Sequence, residues 1–273
     1  MDRKLQLTAV MLSAVLTFCG CGAEKAVCEK DYGVFLSIDP SDIDKIKGYR
    51  TVVIDAQYFS EEDIACLKEQ GSEVYSYLNI GSLENFRDYY ENFSGYTLGK
   101  YENWDEEEWI NVASSKWQTF LVSLENELLE KGIDGFFADN CDVYYNYPED
   151  EIFDGLTVIL KQLMAYGKPV IINGGDTYVT AYREKYGSAK DIMTGVDQES
   201  VFSRIDFENS SFSAQEKEEQ EYFKGYVEAC NKDGADVFLL EYTTDRRLIE
   251  QIEDYCSEKG FRFYISDSVE LDR

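Results

Sequence analysis

The stretch I-D-G-F-F-A-D-N-C-D, residues 133–142, decides how this chain folds. Gly132 closes a helix-like segment before it, and an apolar run then ends abruptly in three hydrogen-bonding side chains, Asp139, Asn140 and Asp142. A short apolar run bounded by turn residues reads as a strand buried on both faces, as strands of parallel sheets are. In a closed parallel α/β sheet the carboxyl ends of the strands carry the chemistry. The chain has no histidine, so acid/base work at neutral pH falls mainly to carboxylates.

Outward from this stretch, the sequence repeats the same alternation of apolar run and amphipathic helix. The spacing predicts strands over Gly33–Ile38, Thr51–Ile54, Glu73–Leu78, Gly135–Ala138, Pro169–Ile172, Ile192–Val196, Asp236–Leu240 and Arg262–Ile265. Eight is the number that closes a (β/α)8 barrel. The helices between them carry ordinary signals. Ser60 with Asp63 resembles a capping box, Trp117, Leu121, Leu124 and Leu128 recur at helical spacing, and Pro148 suits a first turn. These stripes read as core faces. Two connections exceed a minimal βα unit, one containing Glu84–Asn111 and the other Ser200–Ser213, and long loops at that end of a barrel usually build the site. With three prolines and no linker-like tract in 273 residues, one barrel domain over 32–273 is the simplest organisation.

The N-terminus stands apart. Arg3 and Lys4 precede the uncharged run Leu5–Phe18, too short for a comfortable membrane span but suited to a signal-peptide core. Cys19-Gly20-Cys21 follows and is similar to a bacterial lipoprotein cleavage site, although Phe18 departs from the leucine usual there. The expectation is a signal peptide over 1–20, lipidation at Cys21, a short tether over 21–31, and an exported lipoprotein facing the exterior or periplasm. The alternative is a buried N-terminal helix. Cleavage would leave five scattered cysteines with no C-x-x-C pair, which read as buried thiols or one or two disulfides, not a zinc site. The net charge of −28 repels nucleic acid and anionic polymers, so a nucleic-acid partner is excluded. It suits either plain solubility or a cationic substrate.

Polar residues gather where the strands should end: Asp39, Asp55, Asn79, Asp139, Asn140, Asp142, Asn173, Asp197, Gln198, Glu199, Glu241, Tyr242, Ser266 and Asp267. Any one could cap a helix, but so many carboxylates at one mouth would raise one another's pKa. No dinucleotide, phosphate-loop, G-x-S-x-G, H-E-x-x-H or calcium-loop motif is present, so no cofactor and no metal is expected. Paired carboxylates without histidine point to glycoside hydrolysis. Trp104, Trp109, Tyr144, Tyr145 and Tyr147 are candidates for sugar stacking, with simple packing as the other possibility.

The segments V-V-I-D-A-Q-Y-F (52–59), V-Y-S-Y-L-N-I-G-S-L-E-N-F-R (74–87), G-I-D-G-F-F-A-D-N-C-D (132–142), V-I-I-N-G-G (170–175), Q-E-S-V-F-S-R-I-D-F-E-N (198–209) and L-L-E-Y-T-T-D (239–245) resemble, in this order, glycoside hydrolase family 114, the endo-α-1,4-polygalactosaminidase-like barrels. The resemblance implies a (β/α)8 fold and a catalytic pair matching Asp139 as nucleophile and Glu199 as general acid/base in a retaining mechanism. It also implies a sugar-gripping set of Asp55, Tyr77, Asn79, Asn140, Asp142, Asn173 and Tyr242. Cys141 after the D-N pair and Gln198 before Glu199 are departures that leave both carboxylates in place. The expected partner is a polysaccharide or oligosaccharide, cationic if the charge is complementary to it, acted on by a monomer that meets the membrane only through its lipid. A surface carbohydrate-binding barrel without turnover, or a glycosidase for another exopolysaccharide, are the competing readings.

Overall fold

The protein is described by a computed structural model over residues 28–102 and 104–272; the expected signal peptide and Cys21 lie outside the described residues. Eight strands form one sheet in sequence order, and every recorded pairing in it is parallel. They are β1 (Lys30–Phe35), β2 (Tyr49–Ile54), β3 (Glu73–Asn79), β4 (Gly135–Asp139), β5 (Val170–Asn173), β6 (Gly195–Glu199), β7 (Asp236–Tyr242) and β8 (Arg262–Ser266). The ends of the sheet come together, with the Phe35 and Tyr264 rings 5.2 Å apart, so the sheet curls into a nearly closed α/β barrel.

The helices of nine residues or more are α1 (Glu61–Glu69), α2 (Ser115–Glu130), α3 (Asp150–Ala165), α4 (Asp176–Tyr186), α5 (Lys217–Lys232) and α6 (Arg246–Lys259). α1 opens on the expected reciprocal cap: the Asp63 amide donates to Ser60 Oγ and the Ser60 amide to Asp63 Oδ2. α2 buries Trp117, Leu121, Leu124 and Leu128, the stripe read from the sequence. Between β1 and β2 a 3₁₀ turn over Pro40–Ile46 replaces a full helix. Asp39 caps it by accepting from the Ser41 amide, so this strand-end carboxylate is committed to a turn. All five cysteines among the described residues are free thiols, with Cys141, Cys230 and Cys256 buried.

Two differences from the sequence-based expectation bear on the site. β6 lies three residues later than its apolar run suggested. Ile192 and Met193 pack into the core ahead of the strand, while the strand itself runs through Asp197, Gln198 and Glu199. The long connections also carry strands of their own. Ser82–Glu84, Thr97–Lys100 and Glu107–Ile110 form a small antiparallel sheet between β3 and β4, and Ser203–Asp206 pairs with Ser211–Ala214 between β6 and β7.

Candidate active site

A cleft of about 680 Å³ opens at the carboxyl ends of the strands. On its floor, Asp139 ends β4, Asn173 ends β5 and Glu199 ends β6. The Asn173 Nδ2 donates to Asp139 Oδ1 at 2.9 Å and to Glu199 Oε1 at 2.8 Å. Two oxygens that share one nitrogen cannot be farther apart than those two distances combined, which keeps them under about 6 Å. The Tyr242 hydroxyl, at the end of β7, donates to the other Glu199 oxygen at 2.7 Å. Each floor residue is followed by one in the left-handed conformation: Asn140 (φ 69°), Gly174 (φ 62°) and Ser200 (φ 57°). Such residues turn the chain sharply, and they concentrate at functional sites when they are not glycine.

The electrostatics follow from crowding acids in a nearly dry mouth. Burial, then the charges of Glu199 and Glu107, push the Asp139 carboxyl well above the usual range, while the Asn173 amide pulls it back. Asp142 is pushed up to about 7 by burial and by Asp176, opposed by the Gly175 amide that donates to it. Gly174 allows that approach, because a Cβ there would stand 2.9 Å from Asp142 Oδ2.

The opposite wall holds the cleft's cation. The Arg87 guanidinium lies 2.7 Å from Asp55 and 2.5 Å from Glu84, all three residues being buried, and the Tyr77 hydroxyl donates to Glu84 at 3.2 Å. Burial raises the Asp55 carboxyl above its ordinary range, and the Arg87 charge and hydrogen bond oppose that shift. Around this floor and wall stand rings of Tyr58, Phe86, Tyr101, Trp104 and Phe207. This is an acid pair at close range, in an aromatic-lined cleft, on an α/β barrel. Residues 31–272 match the glycoside-hydrolase family GH114.

The chain belongs to GH114, and it is a glycoside hydrolase that acts on polysaccharide or oligosaccharide. Its fold is similar to the glycoside hydrolase domain of PelA from Pseudomonas aeruginosa, with 19% identity, TM-score 0.73, and 89% of this chain and 96% of that one covered. It is also similar to Aspergillus fumigatus Ega3, solved in complex with galactosamine, at 16% identity and TM-score 0.70, covering 91% and 94% of the two chains. In sequence it is 22% identical over 263 residues to an uncharacterised protein of Methanocaldococcus jannaschii, covering 84% of this chain and 73% of that protein.

Within this GH114 barrel the residues expected at the site divide into two groups. Asp55, Tyr77, Asp139, Asp142, Asn173, Glu199 and Tyr242 line the cleft. Asn140 lines it as well and also braces its wall, while Asn79 lies behind the lining and serves the wall alone. Asn79 Oδ1 accepts from the Ser82 amide, and Asn140 Nδ2 donates to Asn79 Oδ1 (3.1 Å), Ser82 Oγ (3.2 Å) and Glu107 Oε2 (3.4 Å). This network pins the antiparallel insertion to the end of β4. Gly81 makes the approach possible, since a Cβ there would fall 1.8 Å from the Asn140 carbonyl oxygen.

Of the aromatic candidates, only Trp104 lines the cleft. Trp109 is buried and stacks behind Tyr101 at 4.1 Å, Tyr144 packs on Phe153 and Tyr178, and Tyr145 is exposed away from the cleft lining. The sequence reading missed Arg87, Glu84, Glu107, Tyr58, Phe86 and Phe207. Arg87 did leave a signal: it and Lys100 are the two cations in the stretch 70–115. Glu241, expected at the mouth, is instead wholly buried, accepting from the Phe202 and Ser203 amides and the Ser203 hydroxyl.

Proposed function

We propose that this enzyme cleaves an α-linked amino-sugar polymer, in the manner of an endo-α-1,4-polygalactosaminidase, through a retaining two-carboxylate mechanism. The observation that carries the mechanism is the single Asn173 amide shared by Asp139 and Glu199. Retaining glycosidases hold their two carboxyls about 5–5.5 Å apart, whereas inverting enzymes need about 6.5–9.5 Å to admit a water. In the proposed cycle Asp139 attacks the anomeric carbon while Glu199 protonates the leaving oxygen. Glu199 then takes the proton of the water that releases the sugar from Asp139.

One electrostatic feature runs against this division of labour. Burial and the Glu199 charge favour the proton on Asp139. Attack requires an ionised Asp139 and a protonated Glu199, so the proposed cycle begins with that proton on Glu199. Azide rescue decides between the roles. With an activated α-glycoside, azide added to a Glu199→Ala enzyme should give a glycosyl azide of retained configuration, and added to Asp139→Ala one of inverted configuration. The opposite pattern would exchange the two roles.

The substrate class rests on the charge of −28 and on the acid-rich mouth, which attract a polymer carrying free amines. Five aromatic rings along the cleft suit successive pyranose units. Incubation with an α-1,4-galactosaminogalactan-type polymer, followed by measurement of reducing ends, is the test. Release should weaken with salt and should fall by about 10³-fold in Asp139→Asn or Glu199→Gln. Cleavage of other exopolysaccharides but not this one would overturn the amino-sugar assignment and leave the mechanism standing.

We also infer export as a lipoprotein anchored at Cys21, supported by the charged start, the apolar run Leu5–Phe18 and the small residue before the cysteine. No helix among the described residues is long and apolar enough to cross a membrane. Because the strands run parallel and the cleft lies at their carboxyl ends, the chain enters β1 at the far end of the barrel, so a lipid tether there would turn the cleft away from the membrane. Metabolic labelling with a lipid precursor, lost in Cys21→Ala, tests this.

A further inference from the structure

Beneath the catalytic floor lies an acid that the proposed mechanism leaves unused. Asp197 sits two residues before Glu199 on β6, so the two side chains share the inward face of the barrel, and Asp197 has no exposure to solvent. The Tyr32 hydroxyl donates to its Oδ1 at 3.0 Å from across the barrel. Its Oδ2 has no hydrogen-bond partner among the described residues. The ionisable groups that act on it most strongly are Glu199, Tyr32, Glu241 and Asp139, and none of these is a cation. A bare carboxylate in such a place is strongly disfavoured, and the usual escape is to keep its proton.

A second orphan stands beside it. Asn173 is the register partner of Asp197 in the parallel β5–β6 ladder, so their side chains emerge on the same face of adjacent strands. Asn173 uses its Nδ2 on Asp139 and Glu199, which leaves its Oδ1 buried and without a partner among the described residues. Two unsatisfied oxygens on paired, inward-facing neighbours are what remains when a single acidic hydrogen is left out of account. Buried polar atoms of this kind are rare, and each asks for an explanation.

We propose that Asp197 is a positioning residue: it holds a proton on Oδ2, donates it to Asn173 Oδ1, and so fixes the amide with its Nδ2 toward the catalytic pair. The chain of donation then runs from Tyr32 to Asp197, from Asp197 to Asn173, and from Asn173 to both Asp139 and Glu199. Every member is satisfied, and the amide cannot flip to face two carboxylates with its oxygen. Burial, with the Glu199 charge next, pushes the Asp197 carboxyl well above its ordinary range, in agreement. The proton stays in place through turnover, so Asp197 touches neither sugar nor reacting atom.

The first test needs no substrate and is independent of the glycosidase reading on which the role of the pair rests. Infrared difference spectra of wild type against Asp197→Asn, at a pH where exposed carboxyls are ionised, should show the carbonyl stretch of a protonated acid in the wild type only. That band should shift in Asn173→Ala, where its acceptor is gone. Absence of the band, or a band indifferent to Asn173, would overturn the proposal. The second test is kinetic. Asp197→Asn keeps a donor to Asn173 and an acceptor for Tyr32, so its kcat should stay within about threefold of wild type. Asp197→Val, checked by circular dichroism for an intact fold, should lose about tenfold or more in kcat with KM little changed, the size expected for one buried donor removed. Equal losses in the two variants would mean that Asp197 serves only the packing of the barrel.

Discussion

The two catalytic strands end alike and are braced differently. After Asp139 and after Glu199 the backbone turns through a left-handed, non-glycine residue, Asn140 and Ser200. On the β4 side that residue is itself the brace: its amide ties Asn79, Ser82 and Glu107 together. On the β6 side the brace lies two and three residues on, where Glu241 from the neighbouring strand takes the Phe202 amide at 2.9 Å, the Ser203 amide at 2.8 Å and the Ser203 hydroxyl at 2.5 Å. The Ser203 oxygen in turn accepts from the Tyr242 amide, so one buried carboxylate fixes both the loop after Glu199 and the tyrosine that donates to Glu199. Side-chain amides divide the load on one side, while a single acid concentrates it on the other. The β6 end should therefore be the more fragile under mutation.

Glu241→Ala tests that difference most strongly. It strands two buried backbone donors and a hydroxyl, so the fold should lose about 3 kcal/mol in urea denaturation, since each unsatisfied donor costs about 1–3 kcal/mol and loops relax in part. Activity should fall further than stability predicts, because Tyr242 loses its anchor. Glu241→Gln keeps two acceptor lone pairs and should cost less than half as much. Equal losses in the two variants would show that charge, not acceptance, holds the loop. A related pH effect follows. Burial pushes Glu241 up to about 7 against its donors, so its native pKa exceeds its unfolded one. The native state then binds more protons between the two values, and its contribution to stability is complete below about pH 4 and is lost as pH rises through about 7.

On the β4 side, Glu107→Gln should cost about 1 kcal/mol or less, because Gln can still accept from Ser82 while its own amide must find a new partner. Its clearer effect is on catalysis. The Glu107 charge is one of the causes that raise Asp139, so removing it should lower the Asp139 pKa and move the corresponding limb of the pH–rate profile to lower pH. A limb that stays in place would show that Glu107 is already neutral at working pH, a state toward which burial drives it.

These braces mark the limit of what the sequence revealed. The barrel was legible because apolar runs recur eight times with helical stripes between most of them, and the misplacement of β6 came from a strand whose inward face is acidic. The pair Asp139 and Glu199 was legible because both stand at strand ends in a chain without histidine. Asn79 and Glu241 share that position but face the loops, and a polar strand-end residue looks the same in sequence whether it meets a sugar or a backbone amide. Arg87, Tyr58 and Phe86 escaped because their role depends on folding of the insertion after β3, whose strands of three or four residues carry no decisive period.

The smallest effect is the one that separates the two turns themselves. Ser200 holds a left-handed conformation that costs a non-glycine residue about 1 kcal/mol, and its backbone amide donates to the Leu240 carbonyl at 2.9 Å whatever the side chain. Ser200→Gly should relieve that strain, and the added freedom of the unfolded chain should take most of the gain back, leaving a change within about 0.5 kcal/mol of zero. Asn140→Gly is the same backbone exchange, and Asn tolerates the conformation better to begin with. It also deletes the amide that Asn79, Ser82 and Glu107 share, so it should destabilise by about 1–2 kcal/mol and loosen the insertion. Thermal denaturation of the two variants side by side gives the answer. Equal shifts would mean that both turns are held by backbone alone, and the Asn140 network would then have no part in bracing β4.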